Sequence, residues 1–393
     1  MDDDLTAIAK RSTQKLVFDH KDMDYYLSWI IGREETGGSL KEECLEAASR
    51  MIDGDCVSWQ AAWIELAKRV ESEAAEALHD GNKEQARSSY LRACTYFRAP
   101  LFIMDAQDVQ FESLSQKMRF CFEQASQLFE PTIESIQVPF GDATLYGYIW
   151  KPDDTGIKRP TLIVIGGIET FAEDCYFMIG SKGMEVGYNV ITVDLPGQGM
   201  NPKQGLFLEA RSEIPIKAVV DYVVSRKEVD TEKIAFYGFS WGGHIVLRGA
   251  QYEPRIKALI ANPATTNIFA SALAQQKGHS KDDPIGRIVF EQVAWRFGVQ
   301  LGQTFKRLVK GIGFLRFAKS NPKKIKCPTM CMAGDSEAKI TLTQTRKCFE
   351  QLPNPKKRME ILTEEQGGSA HCQVDNLPLL HQLIFSWLSQ VFE

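Results

Sequence analysis

The chain has 393 residues, of which 44% are hydrophobic and 25% charged, and its net charge is −5 at neutral pH. This length suits one large domain plus a smaller one. The acidic balance argues against nucleic acid and anionic membranes as partners. No basic signal peptide follows Met1, no apolar run approaches the length of a membrane span, and the nine cysteines are scattered. We therefore expect a cytoplasmic protein that does not bind membranes.

The first 130 residues carry only helical patterns. Apolar residues recur at three-to-four spacing in Ser39–Ile52, Ser58–Leu78 and Glu84–Phe97, and glycine-containing breakers separate these segments. The pattern predicts a helical domain over residues 1–130.

From Ile133 the apolar pattern changes to alternation. Ile133–Val138 and Ala143–Trp150 predict a β-hairpin. Short apolar strands then alternate with helical stretches, which predicts a core domain over residues 131–393 with a mostly parallel sheet and helices on both faces. The later predicted strands are Thr161–Ile165, Asn189–Val193, Lys233–Tyr237, Ile256–Ala261, Pro328–Met332 and Arg358–Leu362.

Ser240 lies at the centre of Gly238-Phe-Ser-Trp-Gly-Gly243, between a predicted strand and a predicted helix. A strand-to-helix turn flanked by glycines exposes a serine hydroxyl above the sheet, where a base can activate it. An ordinary strand–helix turn that happens to contain serine is the alternative. The flanking elements favour a nucleophile elbow.

Residues 265–321 lack strand patterns and contain several aromatic residues, among them Trp295. Aromatic residues at helical spacing more often pack in a hydrophobic core than line a ligand pocket. An insertion directly after a strand nevertheless overhangs the carboxyl edge of such a sheet, so we expect a helical cap there, with Trp295 as a candidate substrate contact.

A serine nucleophile needs a histidine base and a carboxylate that orients it. His371 follows the last predicted strand, in the glycine-rich loop Gly367-Gly-Ser-Ala-His371, and is the expected base. Asp335, at the end of the preceding strand, is the expected acid, with Glu337 as the reserve candidate. Asp194 precedes the serine in the chain, and we interpret it as a structural turn residue.

Attack on a carbonyl creates an oxyanion that needs N–H donors. The Trp241 amide is the first expected donor, because it follows the nucleophile at the helix start. Gly167 or Ile168, after the strand ending at Ile165, is expected to supply the second. Glu169 follows at once and is a candidate substrate contact, although it and the nearby Glu173 and Asp174 could equally cap the next helix.

Metal-ligand spacings and a nucleotide-binding loop are absent from the sequence. Gly197-Gln-Gly199 lacks the full dinucleotide spacing. We expect an enzyme without metal or cofactor.

Five short motifs follow one another along the chain. They are Gly166-Gly-Ile-Glu-Thr170, Asp194-Leu-Pro-Gly-Gln-Gly199, Gly238-Phe-Ser-Trp-Gly-Gly243, Ala333-Gly-Asp335 and Gly368-Ser-Ala-His-Cys-Gln373. In this order they resemble one branch of the α/β-hydrolases. That branch includes bacterial 2,6-dihydroxypseudooxynicotine hydrolase, the fermentation-respiration switch protein group and fungal hydrolases of pigment and polyketide clusters.

The resemblance implies an α/β-hydrolase core with Ser240, Asp335 and His371 as catalytic residues. It also implies that the helical N-terminal region covers the site as a lid and mediates formation of a homodimer. Members of the branch hydrolyse carbon–carbon bonds next to a ketone, or esters and lactones, of small molecules.

We therefore expect a serine hydrolase that acts on a ketone or ester carbonyl of a secondary metabolite or aromatic compound. The first alternative is a non-hydrolytic cyclase or acyltransferase of a biosynthetic pathway that uses the same pocket. A non-catalytic binding protein on the same scaffold is the third hypothesis.

Overall fold

The structure is a computed structural model, and it describes residues 11–12, 14–268, 270–271, 283–299 and 319–393. Much of the predicted cap, including residues 272–282 and 300–318, lies outside the described residues, and the prediction of a cap over the site stays a prediction.

Eight strands form one sheet in the order β1-β2-β4-β3-β5-β6-β7-β8. Strand β2 runs antiparallel to β4, and every pairing from β4 through β8 is parallel. The predicted mostly parallel sheet is confirmed. The strands are β1 (Glu134–Phe140), β2 (Ala143–Trp150), β3 (Arg159–Ile165), β4 (Asn189–Val193), β5 (Val229–Phe239), β6 (Ala258–Asn262), β7 (Thr329–Gly334) and β8 (Lys357–Leu362).

The central strands are buried along almost their whole length. All five residues of β4 and all five of β6 are buried, as expected for strands covered on both faces. Ile165 of β3 pairs with Gly238 of β5, and Phe239 pairs with Asn262 of β6. The carboxyl ends of three neighbouring strands therefore lie side by side, which is where a parallel sheet of this kind holds its ligands.

Helices precede the sheet and connect its strands. The described α-helices are α1 (Lys21–Gly32), α2 (Lys41–Ala48), α3 (Cys56–His79), α4 (Lys83–Arg98), α5 (Val109–Ser126), α6 (Ser181–Glu185), α7 (Glu213–Ser225), α8 (Trp241–Gly249), α9 (Pro284–Arg296), α10 (Lys339–Gln351) and α11 (Leu377–Phe392). The first five match the predicted helical N-terminal region. In the described part of the chain, none is both long and apolar enough to cross a membrane.

The described residues divide into two compact units. One unit contains the sheet and draws on Met1–Thr13, Ser135–Gly278 and Val293–Glu393, while the other is helical and draws on Gln14–Glu134 and His279–Gln292. The sequence predicted a simple boundary near residue 130. Two short segments depart from it, because the described residues before 14 group with the sheet and those of 279–292 group with the helices.

The helical unit has its own apolar core. Trp59 and Trp63 are fully buried with ring centroids 5.6 Å apart, and Tyr26 stacks on Phe102 at 4.4 Å. Gln292 donates hydrogen bonds from Nε2 to two backbone carbonyls of this unit, at 2.8 and 2.7 Å. These bonds explain why the segment before Val293 groups with the helices.

Candidate active site

Ser240 connects strand β5 directly to helix α8. Its φ of 56° and ψ of −127° lie in a region that residues other than glycine rarely adopt. Such backbone strain costs on the order of 1–3 kcal/mol and persists only where the surroundings impose it. The Ser240 N–H donates to the Asn262 carbonyl at 2.7 Å, which fixes the turn against the end of β6.

Three glycines around Ser240 allow this turn to form. A Cβ at Gly238 would lie 2.3 Å from the Gly242 carbonyl oxygen, and one at Gly242 would lie 2.1 Å from that of Ile165. A Cβ at Gly243 would lie 2.2 Å from the Pro263 carbonyl oxygen. Contacts below 3.0 Å are not tolerated, so these positions need glycine for steric reasons.

The histidine loop brings His371 to the serine. His371 Nε2 lies 2.9 Å from Ser240 Oγ, and His371 Nδ1 lies 2.5 Å from Glu337 Oε1. The His371 and Glu337 side chains are only 11% and 8% exposed. A hydroxyl, an imidazole and a carboxylate therefore form one continuous hydrogen-bonded row, the arrangement that activates a serine nucleophile.

Asp335 does not take the place that the sequence suggested for it. Its side chain is exposed, and its backbone N–H donates to the Leu362 carbonyl at 2.8 Å. The chain then turns, and the Ser336 hydroxyl donates to the Ser369 carbonyl in the histidine loop. This turn carries Glu337, two residues later, to His371. The expectation of Asp335 at the histidine is therefore corrected, and the reserve candidate Glu337 occupies that position.

The loop after His371 has an unusual backbone. Cys372 and Gln373 both have positive φ, 61° and 55°. The buried Gln373 side chain accepts a hydrogen bond at Oε1 from Asn262 Nδ2 at 2.7 Å. Asn262 thus contacts the serine turn through its carbonyl and the histidine loop through its side chain. No sequence pattern marked Asn262, and Gln373 was noted only as the last residue of the histidine motif.

Opposing effects act on the pKa of His371. Burial by itself lowers this pKa, whereas the Cys372 side chain and the Glu337 carboxylate raise it. Together, Cys372 and Glu337 outweigh burial, so the pKa of His371 lies above the usual value for histidine. Stabilisation of the imidazolium by a carboxylate is the property required of a base that must hold a proton during catalysis.

The expected oxyanion donors lie close to Ser240. A Cβ on Gly167 would lie 2.8 Å from Ser240 Cβ and 3.0 Å from its Oγ, so the glycine backbone directly faces the nucleophile. Among the described residues, neither the Gly167 nor the Ile168 N–H has a hydrogen-bond acceptor. Trp241 is the first residue of α8, where the N–H groups have no partner within the helix.

Two predicted substrate contacts have protein partners instead. Glu169 Oε2 lies 3.8 Å from the Arg11 guanidinium, and the Arg11 carbonyl accepts the His371 N–H at 2.8 Å. Trp295 is half-buried, with the Arg296 guanidinium 5.3 Å from its ring. Substrate contact by Glu169 or Trp295 stays a prediction. No sequence pattern marked Arg11 as a neighbour of the histidine.

The remaining acids near this edge have structural contacts. Asp194 is buried at the end of β4, and its carbonyl accepts a hydrogen bond from Asn201 at 2.8 Å. Glu173 accepts from the Tyr148 hydroxyl at 2.9 Å, and Asp174 accepts from the Phe171 N–H at 2.9 Å. Asp174 thus bonds to the residue three positions before it, and its capping of the next helix stays a prediction.

One group in the helical unit has metal-ligand chemistry. Ligand atoms of His20, Asp22 and Asp283 lie within 4.8 Å of one another. His20 Nε2 and Asp283 Oδ1, however, are 3.1 Å apart and form a hydrogen bond. This histidine–carboxylate hydrogen bond explains the positions of His20 and Asp283.

Comparison with known proteins places this chain in a family. The chain matches the family described as Esterase FrsA-like over residues 49–284, more than half of its length. The protein belongs to the FrsA-like esterase family. The match includes β1 to β6, the elbow at Ser240 and most of the helical unit.

Two curated fungal relatives align with this FrsA-like esterase along nearly its whole length. Hydrolase ORFZ of Pyricularia oryzae is 28% identical, over 94% of this chain and 96% of its own. The 20-hydroxy-prefusarin hydrolase FUS2 of Gibberella moniliformis is also 28% identical, over 92% of this chain and 94% of its own. The prediction that the protein is an enzyme of the hydrolase type is confirmed.

The fold of the FrsA-like esterase is also that of a solved structure. The 2,6-dihydroxy-pseudo-oxynicotine hydrolase superposes with a TM-score of 0.74 and 20% identity, covering 92% of this chain and 95% of that one. The predicted α/β-hydrolase fold is confirmed. The lid role of the helical region, homodimer formation and a cytoplasmic location stay predictions.

Proposed function

We propose that this FrsA-like esterase is a serine hydrolase in which Ser240 is the nucleophile, His371 the base and Glu337 the acid that orients it. The observation that carries the proposal is the hydrogen-bonded row from Ser240 Oγ through both ring nitrogens of His371 to Glu337 Oε1, with distances of 2.9 and 2.5 Å. Because Nδ1 faces the carboxylate, it holds a proton and leaves Nε2 free to accept one from the serine.

The reaction begins with transfer of the Ser240 hydroxyl proton to His371 Nε2 as Oγ attacks the substrate carbonyl. The resulting oxyanion accepts hydrogen bonds from the Trp241 N–H and from the Gly167 or Ile168 N–H. Collapse of the intermediate breaks the bond to the leaving group, which takes the proton from His371. Water then attacks the acyl-enzyme by the same route and releases the acid, which regenerates Ser240.

The same machinery serves two kinds of carbonyl. From an ester or lactone, the bond between the carbonyl carbon and the alcohol oxygen breaks, and that oxygen takes the proton from His371 while the acyl group stays on Ser240. A ketone can be cleaved at its carbon–carbon bond only if the departing carbanion is stabilised as an enol or phenol-like anion. A β-diketone or polyketide-like aromatic compound meets that requirement, whereas a plain ketone does not.

We propose a small secondary metabolite or aromatic compound as the substrate. The names of two relatives support this class, because one is a 20-hydroxy-prefusarin hydrolase and another a 2,6-dihydroxy-pseudo-oxynicotine hydrolase. Phe297 is 5% exposed, and its ring lies 5.7 Å from the ring of Trp241, the residue that follows the nucleophile. Apolar packing beside Ser240 suits an aromatic or polyketide chain better than a charged substrate.

A fluorophosphonate probe tests the proposal directly. The Ser240 oxygen displaces fluoride from phosphorus, and mass spectrometry of the digested protein should find the phosphonate on the Ser240 peptide. The Ser240→Ala protein should take up no label, and its kcat on aryl esters or aromatic β-diketones should fall by roughly 10⁴-fold or more.

Incorporation of oxygen from ¹⁸O-labelled water into the product then identifies hydrolysis. A folded wild-type protein that takes up no label at Ser240, or a Ser240→Ala protein as active as the wild type, would contradict the proposal. A product without solvent oxygen would indicate cyclisation or acyl transfer instead.

A further inference from the structure

The motif Gly197-Gln-Gly199, which has no nucleotide-binding spacing, forms a closed turn after β4. Gly197 and Gly199 have φ values of 89° and 51°. A Cβ on Gly197 would lie 2.7 Å from Leu208 Cβ, and one on Gly199 would lie 2.0 Å from an Asp194 carboxylate oxygen. The turn therefore requires glycine on both sides of one long polar side chain, Gln198.

The Gln198 side chain is 1% exposed, and its amide uses both ends. Nε2 donates to the carbonyl oxygens of Gly166 and Gly167 at 2.7 and 2.9 Å. Oε1 accepts the Leu195 N–H at 3.0 Å, which determines that the NH₂ end faces the glycine pair. One buried amide thus holds two consecutive peptide groups of the expected oxyanion turn.

The direction of these carbonyls sets the direction of the catalytic N–H groups. In a trans peptide the C=O and the following N–H point in opposite directions, and the only cis peptides among the described residues precede Pro131 and Pro263. Holding the Gly166 and Gly167 carbonyls toward Gln198 therefore points the next two N–H groups away from it. These N–H groups belong to Gly167 and Ile168.

We propose that Gln198 is a positioning residue that keeps these two N–H groups directed at the oxyanion formed on the Ser240 adduct. This inference rests on the proposed function. Glycine peptides rotate easily because no Cβ restricts them. If either peptide turned over, a carbonyl oxygen would face the oxyanion and oppose the charge that the site must stabilise.

Further contacts hold the parts of this arrangement in place. The Thr170 hydroxyl also donates to the Gly167 carbonyl, at 2.8 Å. The Arg296 guanidinium, fully buried, donates to the Gly197 carbonyl at 3.0 Å. The base of the Gln198 side chain is thereby fixed, and the Gly167 peptide has a second anchor.

Gln198→Glu is the decisive variant, because it keeps the side-chain length and an acceptor for Leu195 but replaces the donor by an oxygen. Asn201→Asp is the matched control. Asn201 lies in the same region of the chain, is also buried, and donates from Nδ2 to the Asp194 and Leu195 carbonyls at 2.8 and 3.0 Å, without contact to the glycine pair. Gln198→Glu and Asn201→Asp each introduce a buried carboxylate, which can prevent folding. Gln198→Met and Asn201→Leu make the same comparison between the two positions without a buried charge.

The measurements are kcat, KM, melting temperature and the rate of fluorophosphonate labelling at Ser240. For Gln198→Glu and Gln198→Met we expect kcat and the labelling rate to fall roughly 10²-fold, the loss associated with one oxyanion donor, with KM within about threefold of the wild type. The Asn201 variants should lose comparable thermal stability and keep kcat within about threefold.

Wild-type kcat and labelling rate in folded Gln198 variants would overturn the proposal and leave the serine mechanism intact. Equal kcat losses in the Gln198 and Asn201 variants would also overturn it, because the effect would then follow stability alone. Absence of labelling at Ser240 in the wild-type protein would instead overturn the proposed function, and this inference with it.

Discussion

The two sides of the candidate active site differ in what holds their atoms in place. On the serine side, backbone geometry holds the atoms in place. Ser240 has a left-handed φ, and Gly167 and Gly242 let neighbouring segments approach more closely than a Cβ would permit. On the acid side, two side chains from different loops meet, Glu337 and His371. Where the backbone must pass through a tight turn, the sequence carries glycines that can be recognised. A contact between two side chains from different loops depends instead on the conformation of both loops.

On the acid side, the conformation of one short turn after strand β7 determines which carboxylate contacts His371. Asp335 and Glu337 are two residues apart, and in an extended strand both would point to the same side. The strand ends at Gly334, where a Cβ would lie 2.0 Å from the Ser369 carbonyl oxygen. The histidine loop therefore packs directly on the strand end, and the turn separates the two carboxylates. On the serine side, by contrast, the glycine contacts allow only one backbone conformation around Ser240.

The largest expected effect distinguishes the two carboxylates. Glu337→Gln should lower kcat by roughly 10³- to 10⁴-fold, because an amide no longer holds His371 in the productive tautomer. Asp335→Asn is the matched control, since it makes the same change two residues away on an exposed side chain. It should keep kcat within about threefold. Steady-state kinetics with an aryl ester measures both.

The opposite ranking of these two variants would contradict the assignment of Glu337 as the acid. A large loss in Asp335→Asn with little change in Glu337→Gln would mean that the loop rearranges in solution and that the acid side follows the simple order of the chain.

A smaller effect is expected from adding one methyl group on the serine side. Gly167→Ala would bring a Cβ 3.0 Å from Ser240 Oγ, so the nucleophile or the oxyanion turn must shift. We expect a roughly 10²-fold fall in kcat, the usual result of a misplacement near 1 Å. Gly180→Ala serves as control, because its Cβ would come no closer than 3.3 Å to another atom. Unchanged kinetics in Gly167→Ala would show that this backbone is not fixed.

The smallest expected effect concerns the pH dependence of kcat/KM. Only neutral His371 accepts the serine proton, so kcat/KM falls as the pH drops below the pKa of this histidine. Since that pKa is raised, the wild-type decline should begin at a higher pH than for an ordinary histidine. Removing the negative charge in Glu337→Gln lowers the pKa and should move the decline to lower pH.

Asp335→Asn should leave this decline where it is, because the exposed Asp335 side chain makes no hydrogen bond to His371 in the described residues. If the two variants moved the profile equally, general surface charge rather than the Glu337 contact would control the histidine. Profiles of kcat/KM at constant ionic strength measure the shift.

Most of the sheet was predictable because its strands are short apolar runs bounded by breakers. The ends of the strands do not follow from this pattern. The strand before the elbow is predicted as Lys233–Tyr237 and spans Val229–Phe239. Three of the four extra residues at the first end, Asp230 to Glu232, are polar, and the two at the other end lead directly into Ser240. Apolar pattern identifies the buried centre of a strand, whereas hydrogen bonding to the neighbouring strand determines its length.

Features with a local physical cause are readable from the sequence. Apolar periodicity predicts which segments are strands and which are helices, and glycines that no larger residue could replace mark the turns at Gly167 and Ser240. The tertiary structure decided the partners: Glu337 rather than Asp335 at His371, Gln198 on the glycine peptides, and Arg11 beside the histidine loop. These contacts join segments far apart in sequence, and a side chain reaches its partner only after every turn between them has formed.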